Sequence, residues 1–176
     1  MGCRAGPDER GVVVEYETKF GSLAEHRKGT VEIIDDDARR YVFSNMFEVA
    51  SAARPYEKVA VAKNMEYVLE VIRAEGTSEW RTCSHDEFAL VMDGQVEIRL
   101  VHLDQPVAPS DKDGSVRLDS EPAGPRMGRI VGTRGHMALL PANAAYQFHA
   151  DQPSVVLLQT ILGDDTVQRW AEICLS

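Results

Sequence analysis

Trp80-Arg-Thr-Cys83-Ser-His85-Asp-Glu87 gathers an indole, a guanidinium, a thiol, an imidazole and a carboxylate within eight residues. In an extended segment alternate side chains share a face, so Arg81, Cys83, His85 and Glu87 have one parity. Those types support two kinds of chemistry. Imidazole and carboxylate groups bind a divalent cation, whereas a guanidinium satisfies a carboxylate with two hydrogen bonds. Cys83 reads as a small buried apolar residue, because no neighbouring base would activate it. Trp80 offers either core packing or an aromatic contact surface. A second run, Gly135-His-Met-Ala-Leu-Leu-Pro141-Ala-Asn-Ala-Ala-Tyr146, ends on a phenol. No Ser-His-Asp set, phosphate loop or basic patch is present.

The surrounding elements read mostly as β. Val12–Tyr16 and Thr30–Ile34 are β-branched runs; Arg40–Val49 reads as a strand with a bend. Val59–Ala62 and Tyr67–Ile72 are further strand candidates, the second also compatible with a helical turn. Asp93-Gly94 between two apolar runs, 88–92 and 96–103, is a hairpin signal. Val96, Ile98 and Leu100 alternate with Glu97 and Arg99. Residues 104–128 are rich in proline and charge and form a long loop. Strands resume at Met137–Leu140, 145–149 and 154–162. Asp164 or Asp165 can cap a short C-terminal helix with Val167, Trp170, Ala171 and Cys174 on one stripe. Residues 1–11 read as a disordered tail. The expected architecture is therefore all-β, with one domain over 12–176.

Composition narrows the function classes. A net charge of −9 argues against nucleic acid. No apolar run approaches the roughly 18 residues of a membrane span, and no leader-type apolar segment opens the chain. Cys3, Cys83 and Cys174 have no pairing spacing, which suits free thiols in a reducing cytoplasm.

The two runs resemble the paired motifs of the cupin superfamily, G-x5-H-x-H-x3,4-E-x6-G and G-x5-P-x-G-x2-H-x3-N. Glu87 and Gly94 match E-x6-G, and Gly135 and Pro141 match G-x5-P. The histidine pair is replaced by Trp80/Thr82 or Arg81/Cys83, according to the spacer. Tyr146 replaces the last histidine and Ala150 the closing asparagine. The resemblance implies a double-stranded β-helix, or jelly-roll barrel, whose metal frame is degenerate at Arg81, Cys83, Glu87 and Tyr146. An inward Glu87 without a cation requires a partner, and Arg81 has the parity to supply an internal ion pair. The rival is a rebuilt metal site of His85, Glu87 and His149, although His149 has the opposite parity to Tyr146 and should point out of the barrel.

From Phe47 to Gly76, then through Trp80 and Ser84–Gly94, the chain resembles the small (alpha) subunit of two-subunit hydroquinone 1,2-dioxygenases, over roughly residues 40–175. That resemblance implies no metal and no catalytic residue on this chain. It implies a larger cupin-containing partner that carries Fe(2+), and a hydroquinone-type substrate cleaved beside a hydroxyl by insertion of both atoms of O₂. Trp80 would lie at the substrate pocket or subunit interface. Two other classes stay open: a stand-alone metal-dependent cupin dioxygenase, and a metal-free cupin that binds a small ligand or regulates.

Overall fold

A computed structural model describes residues 21–25 and 45–170 of the chain. The tail expected over 1–11 and the strands expected at Val12–Tyr16 and Thr30–Ile34 lie outside them. Helix α1 (Met46–Ala52) precedes nine strands: β1 (Val59–Lys63), β2 (Tyr67–Thr77), β3 (Arg81–Thr82), β4 (Glu87–Asp93), β5 (Gln95–His102), β6 (Val116–Arg117), β7 (Arg126–Thr133), β8 (Met137–Leu140) and β9 (Ala144–Ile161).

All nine strands join one curled antiparallel sheet, the cupin-type barrel. Its spine is β9. The C-terminal half of β9 pairs with β2 and β4, and its N-terminal half with β3 and β5. Alternation divides the apolar residues between two cores. Ile72, Ile98, Leu140, Tyr146, Phe148 and Leu158 fill the barrel. Val59, Val71 and Val155 face outward under Phe47 and Ala50 of α1.

Several sequence expectations are corrected. The expected strand Arg40–Val49 contains the start of α1; residues 40–44 lie outside the described ones. The Asn45 carboxamide oxygen accepts from the Phe47 amide at 3.0 Å, an N-cap. Buried Phe47 and Ala50 share a face at helical spacing but would split across a strand.

The Asp93-Gly94 hairpin does not form: β4 pairs with β8 and β9, and β5 with β7 and β9. A type I′ turn needs positive φ at both central residues, and only Gly94 (φ 74°) has it. Gly94 instead bends the chain from one half of β9 to the other. A Cβ there would lie 2.2 Å from Ser154 Oγ, so the bend needs a residue without a side chain.

The 104–128 loop contains β6 and the first residues of β7, a strand whose arginines and glycines hid it. The two runs expected at 145–149 and 154–162 are one strand, β9. Asp164 and Asp165 form a turn rather than a helix cap, and Val167 bridges Val59. The Val167 amide donates to the Lys58 carbonyl and its carbonyl accepts from Ala60, which keeps this stretch extended. The rest of the expected C-terminal helix, from Ala171 onward, lies outside the described residues. No helix among the described residues is long and apolar enough to cross a membrane.

Candidate functional site

Strand β3 is only two residues long because the chain must leave the sheet to reach β4. Arg81 pairs with Tyr146 and Thr82 with Ala145. Residues 83–86 are then irregular, and the parity that linked Arg81 to Glu87 is lost there.

Glu87, the first residue of β4, is 0% exposed and Tyr146 is 1% exposed. The Tyr146 hydroxyl donates to Glu87 Oε2 at 2.7 Å. This bond lies in the barrel, with the Tyr146 ring edge-on to Phe148 at 5.5 Å. Burial raises the phenol's pKa well above its usual value, and the Glu87 charge pushes it the same way. The phenol therefore stays protonated and remains a donor. Among the described residues Glu87 Oε1 is buried with no hydrogen-bond partner, as is Thr82 Oγ1 on β3. Cys83 is buried; its pKa is pushed up to about 11, first by burial and then by Glu87, so it is a thiol and not a nucleophile.

Arg81 does not pair with Glu87. Its Nη2 contacts Asp165 Oδ2 at 2.9 Å and its Nη1 donates to Ser115 Oγ at 3.2 Å. The 163–167 turn puts a carboxylate nearer the guanidinium than the barrel interior does. The buried ion pair is elsewhere, between Lys58 and Glu70. Lys58 Nζ lies 3.0 Å from Glu70 Oε2 and 2.9 Å from Ser115 Oγ, and Thr166 donates to Glu70 Oε1. Sequence reading missed this pair because Lys58 lies just outside β1, and Glu70 is one polar residue inside an apolar strand. Ser115 joins the two groups: its hydroxyl contacts Lys58, Arg81 and Tyr146. A chain of polar contacts thus runs from Glu87 in the barrel to a charged cleft of about 560 Å³ bordered by Arg54, Lys58, Arg81, Lys112 and Asp165.

The alternative metal set is not assembled. His149 lies on the outer face, its ring between Thr77 Oγ1 (2.8 Å) and Asp151 Oδ1 (3.1 Å). His85 sits in the 83–86 bend with Nδ1 on the Asp86 carbonyl. Among the described residues no three His, Cys, Asp or Glu side chains converge. The frame itself fits a metal poorly: Arg81 cannot ligate, Cys83 and Tyr146 are both pushed toward their protonated forms, and one Glu87 oxygen is taken by Tyr146. Asn143, where the motif has glycine, keeps the positive φ (60°) that this turn requires, which asparagine tolerates.

Trp80 is half-buried just ahead of β3, its carbonyl accepting from the Leu118 amide at 2.8 Å. It stands between two clefts. One, about 710 Å³, is bordered by Arg99, Glu121, Arg126, Arg129 and Gln147. The other is bordered by Glu79, Arg117 and Asp119. Among the described residues the indole is the only aromatic ring bordering either one.

No family model and no curated protein matches the chain. Solved structures do. A chain of hydroquinone 1,2-dioxygenase from Sphingomonas sp. TTNP3, with 4-hydroxybenzoate bound, is 58% identical with a TM-score of 0.86, over 91% of this chain and 98% of that one. A chain of the hydroquinone 1,2-dioxygenase PnpCD, in complex with Cd²⁺ and 4-hydroxybenzonitrile, is 51% identical with a TM-score of 0.85, over 93% and 99%. A different match, to a chain of PnpCD in complex with Fe³⁺, is 11% identical with a TM-score of 0.58, over 78% of this chain and 38% of that one. That likeness shows the fold alone, carried in part of a longer chain.

Proposed function

The chain belongs to the hydroquinone 1,2-dioxygenase family, and from that premise we propose that it is the small, metal-free subunit of a two-subunit ring-cleaving dioxygenase. A larger cupin-containing subunit carries the non-haem Fe(2+), and the substrate is a hydroquinone-type aromatic. The observation that carries this reading is the Tyr146–Glu87 bond in the barrel: a neutral phenol stands where a ligand histidine would be and occupies the remaining carboxylate. Such a barrel is a scaffold for a partner's chemistry. The full-length matches to one chain, beside the partial match to a longer chain of the same dioxygenase, support two dissimilar subunits.

On this reading no residue of this chain touches the reacting atoms through a metal. Its contribution to the active site is Trp80, whose indole between two clefts offers a flat wall to an aromatic ring and shields it from water. The unpaired cysteine spacing supports a reducing, cytoplasmic setting for the complex.

The test mixes the purified subunits with Fe(2+) and hydroquinone and follows oxygen uptake. Ring cleavage should require both chains. Trp80→Ala should lower the rate while the partner's iron content stays unchanged. Full turnover by the large subunit alone, or ring cleavage by this chain alone, refutes the proposal.

A further inference from the structure

β7 differs from every other long strand of the barrel. Among the described residues it pairs only with β5, which leaves one of its edges without a strand partner there, and seven of its eight residues are exposed. Ile130 faces the inside of the sheet opposite Ile98, and Val131 faces the outside opposite Glu97, yet both are exposed. Both faces and one edge of the same strand are therefore open. β8 continues that edge and, among the described residues, pairs only with β4. Met127, Ile130, Val131, Met137 and Leu139 make five of the nine large exposed apolar side chains among the described residues, and all lie on this edge. An apolar edge without proline or lysine is a template for strand pairing.

The charges select the occupant. Arg129 lies back on Glu97 at 2.9 Å and Arg134 on Asp93 at 2.6 Å. Arg126 has no carboxylate partner among the described residues, and it borders the Trp80 cleft together with Arg99 and Arg129. A second copy of this chain paired through β7 would bring another Arg126 without a carboxylate to the edge, whereas an acidic strand would neutralise it.

We infer that the open β7–β8 edge is the docking surface for an extended, acid-bearing segment of the larger subunit, laid along β7 with a carboxylate at Arg126. This rests on the two-subunit reading. It places the docking strand against the cleft that Trp80 borders, so the same contact that joins the subunits would seat the indole at the partner.

Hydrogen exchange of this chain, alone and mixed with the larger cupin-containing subunit, tests it. In the complex, amides of Met127–Thr133 should slow by roughly tenfold or more. Arg126→Glu should raise the dissociation constant roughly tenfold, with the melting temperature unchanged, and Arg126→Lys should recover part of the affinity. A complex that forms while β7 exchanges as in the free chain overturns the docking surface and leaves the two-subunit reading standing. Protection that grows with the concentration of this chain alone makes a second copy the occupant and overturns it as well. Absence of any complex overturns the two-subunit reading, and the docking surface with it.

Discussion

Replacing Lys58 by methionine keeps the aliphatic stem and removes only the ammonium, which isolates what that charge does. Lys58 is 5% exposed and Glu70 0%. After the change Glu70 retains one hydroxyl donor, Thr166, and loses the cation 3.0 Å away. Stranding one charge of a buried pair costs about 3–5 kcal/mol, a large share of the roughly 5–15 kcal/mol that holds a domain together. At about 2–4 °C per kcal/mol for a chain of this size, the melting temperature should fall by about 6–20 °C. Urea melts should show a lower midpoint with an unchanged slope. Lys58→Met with Glu70→Leu removes both charges and should recover most of the loss. Lys112→Met serves as control: its pair with Asp164 is 41% and 83% exposed, so solvent screens it. If Lys58→Met shifts stability no more than Lys112→Met, or if the double change is additive, the pair is solvated and the polar chain through Ser115 is wrong.

Tyr146→Phe should cost about 1–3 kcal/mol, because Glu87 loses its hydrogen-bond donor inside the core; a neutral result in denaturant melts refutes the bond. Arg81→Met should show coupling to Asp165→Asn and none to Glu87→Gln in double-mutant cycles. Coupling to Glu87 instead would restore the ion pair expected from parity. Cys83 should resist thiol reagents at neutral pH in the native state, as read by peptide mapping. Its pKa is raised from 9.0 to about 11, so the folded state holds a proton that the unfolded state releases. Stability from this group is complete below pH 9 and lost as pH rises through about 11. Cys83→Ala should flatten that part of the pH profile; an unchanged slope refutes the buried thiol.

What was legible in the sequence was whatever rests on local alternation. Val96, Ile98 and Leu100 turn inward as their spacing requires, and the paired motifs located Glu87 and Tyr146 in the barrel. His149 points outward, as opposite parity to Tyr146 demands. Failures occur where one residue answers to two partners. Asp93-Gly94 has hairpin chemistry, but both strands prefer the long β9, so the turn becomes a bend. β7 reads as loop because an open edge needs no apolar alternation. The Arg81–Glu87 pair assumed a strand running unbroken from 81 to 87, and the 83–86 irregularity removed that assumption. Ser115 carried no local signal; only tertiary structure sets its hydroxyl among Lys58, Arg81 and Tyr146.

On the proposed metal-free reading the barrel faces a specific physical problem, since three ligand positions and a carboxylate are left in a low-dielectric interior. The solution here keeps the carboxylate. Tyrosine at 146 supplies both the ring that fills the volume of the lost ligand and a donor that cannot ionise near neutral pH, so Glu87 gains a hydrogen bond without gaining a competing charge. Cys83, a small buried thiol, lies within reach of the Glu87 charge. Arg81 pairs with Asp165 instead, which ties β3 to the 163–167 turn. That tie anchors the strand ahead of which Trp80 stands. On the proposed reading, a subunit that holds an indole against a partner's substrate is served by such anchoring rather than by a metal of its own.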